Sequence, residues 1–314
     1  MTLHTGHFAP ATFAVSQVRC EKDHVRSRDC AYQVAWNINP HMKVGAAVWR
    51  RACSQHRAFL RALRDAGAGF FELPFVHGAY DSVFAKDNAV LVSQEGELRA
   101  LLATMRHGQR RGEQSARARW LAARGFDVIE PGRVHIEGGD VAMLPQGRGA
   151  LLGWGQRSTQ RAAGVLEAFL DAPVTPLELR DPYLYHLDTA LTVLSDGTAL
   201  VCPEAFTPES LRTLARTEGI QQVVPVARED ALAFGLNLVE VGNTVLVGAR
   251  VPRVEALLRG LGRRPVSVKL DQFHLAGGSA ACLVARVHTL PPVSAQHFRE
   301  EREQEQDAAS SLSA

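Results

Sequence analysis

The stretch Tyr185-His186-Leu187-Asp188-Thr189-Ala190-Leu191-Thr192-Val193-Leu194-Ser195-Asp196-Gly197 contains the plan of the whole chain. A polar residue, Asp188, precedes an apolar strand-like run at 191–194, and that run ends in the hairpin signal Asp196-Gly197. The same order recurs in both directions along the chain. Asp87 precedes an apolar run at 88–92 that reaches the turn Glu95-Gly96, and Asp140 precedes a run at 141–144. Asn237 precedes 238–241 and the turn Gly242-Asn243, and Cys282 precedes 283–287. Successive markers are 53, 48, 49 and 45 residues apart.

The intervals between markers also share an order. Helical spacing appears in His56, Phe59, Leu60 and Leu63, in Trp120 and Leu121 within 115–124, and in Val165, Leu166, Phe169 and Leu170. It appears again in Leu211 and Leu214, opened by Thr207 as N-cap with Pro208 behind it, and in Val254, Leu257, Leu258 and Leu261. A strand-like run follows each helix, at 70–76, 126–130, 174–179, 223–226 and 265–270. A period near fifty residues marks repeated supersecondary units. A kelch-type propeller shares that period but needs four strands per unit and no amphipathic helix, so it does not fit. The expectation is an α/β chain of five strand–strand–helix–strand units (ββαβ) closing into a ring, which would bring the five markers to one central axis. One domain over 1–298 and a polar tail over 299–314 complete the expected organisation.

Composition removes several functional classes. Hydrophobic residues make up 46% and charged residues 22%, as in ordinary globular proteins, and the formal net charge is +2. Neither nucleic acid nor an anionic membrane is an expected partner at that charge. Residues 1–17 do not read as a signal peptide, and no apolar run is long enough to cross a bilayer. The five cysteines are widely spaced, with no zinc-like pair, which suits reduced thiols in a cytoplasmic protein. No cofactor or metal is expected, and a homo-oligomer is compatible with the sequence.

Each chemically notable residue has a bland reading when taken alone. Cys282 follows Ala276-Gly277-Gly278-Ser279-Ala280-Ala281, where glycines and small residues let the backbone pass close to a ligand or another loop; a packed thiol would also fit. His186 and Asp188 fall on one side of an extended segment, and His186 reads either as an acid–base group or as a strand-end histidine. Glu137, in Glu137-Gly138-Gly139-Asp140, is a site acid or a turn acid, and Asp87 is a site acid or a strand terminus. As a set, these residues sit at or beside the markers of four of the five units; the Asn237 unit is the exception. A carboxylate pair holds a guanidinium by two-pronged hydrogen bonds, a thiolate attacks its planar carbon, and a histidine protonates the departing amine. A zinc site from Cys282, His186, Asp87 and Asp188 lacks the usual close ligand pair.

The segments Val83-Phe84-Ala85-Lys86-Asp87-Asn88, Glu137-Gly138-Gly139-Asp140, His186-Leu187-Asp188 and Gly277-Gly278-Ser279-Ala280-Ala281-Cys282 resemble those of the guanidine-modifying, or pentein, enzymes. These are the dimethylarginine dimethylaminohydrolases, arginine deiminases and glycine amidinotransferases, and order and spacing agree from about residue 39 to residue 287. The resemblance implies a five-module α/β propeller with pseudo-fivefold symmetry and a small guanidino substrate. It implies a covalent thiouronium on Cys282, proton transfer by His186, and Glu137 as orienter of His186. Asp87 and Asp188 would hold the guanidinium. Arg157, in Gly155-Gln156-Arg157-Ser158, would hold a substrate carboxylate, with Arg111, in Arg110-Arg111-Gly112-Glu113, as a second arginine and Arg110 facing solvent. Asp81 would lie near a substrate amino group.

Two departures bear on the substrate. Dimethylaminohydrolases usually carry lysine where Asp188 stands, and animal members carry glutamate where Lys86 stands. A second carboxylate suits an unmethylated guanidinium, because methyl groups remove N–H donors. Arginine deiminases, however, carry a helical insertion for which this chain has no room. The expected activity is hydrolysis of arginine or a methylarginine to citrulline and ammonia or an amine. The alternatives are arginine dihydrolysis to ornithine and amidino transfer to an amine, although amidinotransferases often have aspartate where Glu137 stands. A non-enzymatic module on the same fold, like a ribosome-associated initiation factor, is disfavoured by the presence of the Cys, His and acid set.

Overall fold

The computed structural model describes residues 11–20 and 30–292, so the tail expected over 299–314 and the domain end at 298 lie outside it. In chain order the elements are β1 (Thr12–Ser16), α1 (Trp49–Asp65), β2 (Gly69–Leu73), β3 (Ala89–Gln94), β4 (Glu97–Leu102), α2 (Arg111–Ala122) and β5 (Phe126–Ile129). There follow β6 (Val141–Met143), β7 (Ala150–Trp154), α3 (Ala162–Leu170), β8 (Val174–Glu178), α4 (Leu187–Ala190), β9 (Leu191–Val193), β10 (Thr198–Val201), α5 (Pro208–Arg216) and β11 (Gln222–Pro225). The last are α6 (Arg228–Leu232), β12 (Leu238–Val241), β13 (Thr244–Val247), α7 (Pro252–Gly260), β14 (Arg264–Ser267), α8 (Asp271–His274) and β15 (Val284–Thr289).

The strand pairing repeats. In β3-β4-β5, β6-β7-β8, β9-β10-β11 and β12-β13-β14 the first two strands are antiparallel and the third runs parallel to the second. The crossover into each third strand is a helix, as a parallel connection requires. The fifth copy joins both ends of the described chain: β15 pairs antiparallel with β1, and β1 pairs parallel with β2. β15 also pairs in parallel with β3. The first and fifth copies therefore share a six-stranded sheet, β2-β1-β15-β3-β4-β5, beside three separate three-stranded sheets. Among the described residues the strands do not close into a hydrogen-bonded barrel.

Burial explains the sequence of each strand. The middle strands β1, β10 and β13 are buried along their whole length and read as near-continuous apolar runs. The third strands lie at sheet edges and carry Pro176, Pro225 and Pro265, where a missing N–H costs no ladder bond. Glu95 and Gly96 take φ values of 50° and 90°, the twist a tight hairpin needs. Thr207 caps α5 as expected, its Oγ1 accepting the Ser210 N–H at 3.0 Å.

α2 begins at Arg111, four residues ahead of the span read from the sequence. Its inward face is Glu113, Arg117 and Leu121, so apolar periodicity could not reveal its first turns. Arg117 is buried and makes four hydrogen bonds: it donates to Asn88 Oδ1 at 2.6 Å, to the carbonyls of Pro74 and Ser82 at 2.6 and 2.7 Å, and to Ser16 Oγ at 2.8 Å. One side chain thus ties α2 to β1 and to the segment carrying Asp87. No described helix is long and apolar enough to cross a membrane.

Candidate active site

Four of the five marker residues lie in a single helical turn just before their unit's first strand: Ala85–Asn88, Gly138–Asp140, α4 and Ala281–Leu283. Asn237 stands directly before β12. The five are between 0 and 5% exposed, which for three aspartates demands partners. Glycine makes the convergence possible at Gly139, where a Cβ would lie 2.6 Å from His186 Nδ1 and 2.7 Å from Asp87 Oδ1. At Gly278 a Cβ would strike the Phe84 ring, so the bulky neighbour of the glycine pair is another loop.

The sulfur of Cys282 lies 3.7 and 3.9 Å from the two carboxylate oxygens of Asp188 and 3.2 Å from Asn237 Nδ2. The backbone N–H of Cys282 donates to Asn237 Oδ1 at 3.3 Å. Burial, followed by the charges of Asp188 and Asp87, pushes the thiol well above its ordinary range. Burial also raises Asp188, although Lys86 Nζ at 3.9 Å opposes that rise.

Asp140 anchors the segment that carries His186. Its Oδ1 accepts the Leu187 N–H at 3.1 Å and its Oδ2 the Ser158 N–H at 3.0 Å, and burial lifts this acid to about 7. His186 Nε2 stands 2.9 Å from Glu137 Oε2, and Nδ1 faces Asp87 Oδ1 at 3.6 Å. Burial works against a charged ring, but Asp87, Asp140 and Glu137 outweigh it and raise His186 to about 9. Burial would likewise raise Glu137, yet its hydrogen bond to His186 and the Arg157 guanidinium hold it well below the usual carboxylate range. Glu137 Oε1 accepts the Arg106 N–H at 2.9 Å, which fixes the carboxylate plane.

Asp87 is gripped by Arg110, whose Nη1 donates to Oδ2 at 2.6 Å. Arg110 also forks onto Glu113 at 2.8 and 2.9 Å and reaches the Asp81 carbonyl at 3.2 Å. This corrects the sequence expectation for the arginine pair: Arg111 is exposed, while Arg110 is 3% exposed and lines the site. The 3₁₀ turn Gly108–Arg110 aims Arg110 inward just before α2 begins, and a helix turn later Glu113 meets it. Asp81 Oδ2 accepts from Trp36 Nε1 at 2.7 Å, its Oδ1 has no partner among the described residues, and burial raises it to about 6. Arg157 donates to Glu137 Oε2 at 3.3 Å and to the Ile38 carbonyl at 3.0 Å, with its guanidinium 4.6 Å from the Tyr185 ring centre.

Asp81, Asp87, Arg110, Arg157, Tyr185 and Cys282 line a slot of about 10 Å³ together with Ile38, Asn39 and Met42. Asp87, Glu137 and His186 each bring a donor atom within 4.8 Å of the others, the spacing a metal ion needs. Arg110 and Arg157 already occupy oxygens of both acids, and the two acids pair with the imidazole. The set is organised around cations held by carboxylates.

A family model described as "N,N dimethylarginine dimethylhydrolase, eukaryotic" matches residues 27–289. This chain belongs to the dimethylarginine dimethylaminohydrolase family. It is 32% identical over 265 residues to a dimethylarginine dimethylaminohydrolase of Mycobacterium tuberculosis, covering 82% of this chain and 83% of that one. It is 30% identical over 280 residues to a bifunctional arginine dihydrolase/ornithine cyclodeaminase of a Nostoc species, covering 88% of this chain but only 38% of that longer protein. Among solved structures, the N-terminal domain of the arginine dihydrolase ArgZ, covalently bound to a reaction intermediate, superposes with a TM-score of 0.81 at 27% identity, covering 90% of this chain and all of that one. A dimethylarginine dimethylaminohydrolase adduct superposes at 0.67 and 20% identity, which speaks for the mixed α/β pentein-type fold alone.

Within this dimethylaminohydrolase framework, sequence reasoning missed three side chains that border the chemistry. Arg110 reads as surface in its own segment, although its i, i+3 relation to Glu113 is a signal of pairing. Lys86 stands out in the sequence as a departure, and its place as the cation beside Asp188 emerges only in the fold. Asn237 looks like the exception among the markers, although its interval in the repeat points to the site.

Proposed function

We propose that this chain is a cysteine-dependent hydrolase that breaks a carbon–nitrogen bond at the guanidinium carbon of arginine or a methylated arginine, with Cys282 as the nucleophile. The observation that carries this reading is the thiol of Cys282, which lies beside Asp188 and shares a slot with Asp87, the carboxylate that faces the imidazole of His186. The five strand–strand–helix–strand units are read as modules of a ring with pseudo-fivefold symmetry, a reading supported by the Asp188, Asn237 and Cys282 contacts at the ring's axis.

The electrostatics favour a cationic substrate. Without one, burial and then the charges of Asp188 and Asp87 hold the thiol above its ordinary range. A guanidinium seated on Asp87 and Asp188 cancels those charges and lets the sulfur give up its proton to solvent where the thiolate is needed. The thiolate then attacks the central carbon. His186, held as an imidazolium by Asp87, Asp140 and Glu137, delivers the Nδ1 proton to the departing nitrogen, which leaves as ammonia or an amine. A thiouronium remains on Cys282. Neutral His186 takes a proton from water, the hydroxide adds to the same carbon, and the C–S bond breaks as the new O–H loses its proton to solvent, where the released ammonia takes it up as ammonium; citrulline, the thiolate and the His186 imidazolium result. At the far end of the slot, the unpartnered Asp81 oxygen suits the substrate ammonium and Arg157 its carboxylate. A slot of about 10 Å³ holds roughly one water, so entry of arginine moves the segment carrying Ile38, Asn39 and Met42.

Asp188 favours the unmethylated substrate, since each methyl group removes an N–H that its oxygens could accept. The likeness to an arginine dihydrolase domain makes ornithine, from a second hydrolysis, the alternative product. Incubating the purified chain with arginine, mono- and dimethylarginine, agmatine and an amine acceptor, and weighing the products by mass spectrometry, separates these outcomes. Failure to turn over any guanidino compound would reject the reading.

A further inference from the structure

Asn237 is the only marker of the five without a titratable group, and its amide nitrogen lies closer to the sulfur than either Asp188 oxygen. One N–H of its amide points to Sγ at 3.2 Å and Nδ2 also serves the Asp188 carbonyl at 3.1 Å, while Oδ1 accepts the Cys282 N–H at 3.3 Å. The amide's two donors and its acceptor are therefore all engaged. The opposite amide orientation would set two donors face to face at the Cys282 N–H, so the hydrogen-bond network itself fixes the orientation. We propose that Asn237 is a catalytic residue, whose amide N–H stabilises the sulfur anion of Cys282 when it forms and again when it is expelled at the end of turnover. The proposal rests on Cys282 being the nucleophile.

The surroundings explain why an amide stands here. The sulfur otherwise faces the carboxylate of Asp188, which repels a thiolate. A cation at position 237 would neutralise that acid but compete with the guanidinium for it. An acid would add to the repulsion. A neutral donor serves the sulfur while leaving both carboxylates for the substrate. The Ser279 backbone also lowers the proton affinity of the sulfur.

The turn before Asn237 is built to hold it. Phe234 lies in the left-handed region at φ 63°, closing α6 with its N–H on the Ala231 carbonyl at 2.9 Å and the Gly235 N–H on the Asp230 carbonyl at 2.8 Å. A phenylalanine takes this conformation only where its surroundings demand it. Its ring is held between His41 and His274, with centroids 5.2 and 4.5 Å away, and its carbonyl accepts the Asn237 N–H at 3.2 Å. The Asn237 carbonyl in turn accepts the Ala281 N–H at 3.4 Å, binding this turn to the loop that bears the nucleophile.

The test is made on the full chain with Asn237→Ala, Asn237→Asp and Asn237→Ser. Alkylation of Cys282 by iodoacetamide is followed from about pH 6 to about pH 10, with peptide mass mapping to separate it from Cys20, Cys30, Cys53 and Cys202. Asn237→Ala is expected to slow alkylation near neutrality by roughly tenfold to a hundredfold, to move its midpoint upward, and to lower kcat by a similar factor. KM is expected to stay within about threefold, because the amide touches the sulfur and not the substrate. Asn237→Asp, which keeps the shape and Oδ1 but adds charge, is expected to be worse than alanine, and serine, with one hydroxyl donor, better. A merely structural role would lower the melting temperature and leave the alkylation midpoint of the folded protein unmoved; that result in any soluble variant overturns the proposal. Cys282→Ser, assayed for turnover in parallel, decides the nucleophile itself, so failure of the two readings can be told apart.

Discussion

Around His186 stand Glu137, Asp87 and Asp140; around Cys282 stand Asp188 and, again, Asp87. The two regions are almost equally buried and draw on one pool of acids. On the imidazole the acids favour the charged form and raise it to about 9, whereas on the sulfur they favour the neutral form. Under the proposed mechanism, one arrangement therefore stores the proton that the leaving amine would need and withholds the thiolate until a cation arrives. The partners of the acids differ as well. Glu137 and Asp87 are gripped by Arg157 and Arg110, while among the described residues the cation beside Asp188 is the half-buried Lys86 at 3.9 Å. The imidazole side is a fixed electrostatic frame; the thiol side is left open to be completed by substrate.

The most severe way to break this comparison is at the sulfur. Cys282→Ser should abolish turnover, by at least about ten-thousandfold, and remove any adduct seen by intact-protein mass spectrometry. Full activity in that variant would end the nucleophile assignment.

On the imidazole side, Glu137→Gln should lower kcat by roughly a hundredfold to ten-thousandfold. It should also displace the basic limb of the kcat/KM profile to lower pH, since a neutral amide no longer favours the imidazolium. In the unaltered chain that limb is expected as pH rises through about 9. The sign extends to stability. The folded protein holds on His186 a proton that the unfolded chain releases at the ordinary imidazole value of 6.5. Stability from this site is therefore complete below 6.5 and is lost as pH climbs through about 9. Thermal melts across this range should show the loss in the unaltered chain and a reduced loss in Glu137→Gln.

Asp188→Asn sharpens the contrast. Removing the charge beside the sulfur should speed alkylation of Cys282 at neutral pH several-fold, while the KM for arginine rises by about tenfold from the lost charge-assisted pair. Slower alkylation would show that Asp188 does not act on the thiol electrostatically. The smallest effect belongs to Arg111→Ala, expected within about twofold in kcat and KM because Arg111 is exposed. A large KM increase there would return Arg111 to the substrate-binding set.

How much of this was legible in the chain varied from unit to unit. The spans of α1, α5 and α7, and the runs that became β3, β6, β9, β12 and β15, follow from apolar spacing and turn residues, because those elements bury one hydrocarbon face. α2 was misplaced because it turns Glu113 and Arg117 inward, and a buried charge reads as a surface residue until its partner is known. The same reason hid Arg110. β1 went unread because its meaning lies in its partners, β2 and β15, more than two hundred residues from each other in the chain. Likewise Asn237 could not be weighed from its own segment, since an amide has no pattern of its own and acquires a role only from the sulfur it touches.

The sequence by itself determined the repeating unit, its period and which side chains are candidates for the chemistry, since these depend on local spacing and on side-chain type. Tertiary structure alone decided which groups meet: the pairing of Cys282 with Asp188 and Asn237, of His186 with Glu137, and of Arg110 in place of Arg111 with Asp87. Proton affinities and ion pairs depend on distances of a few ångströms and on exclusion of water, and both exist only once separate segments have folded against one another.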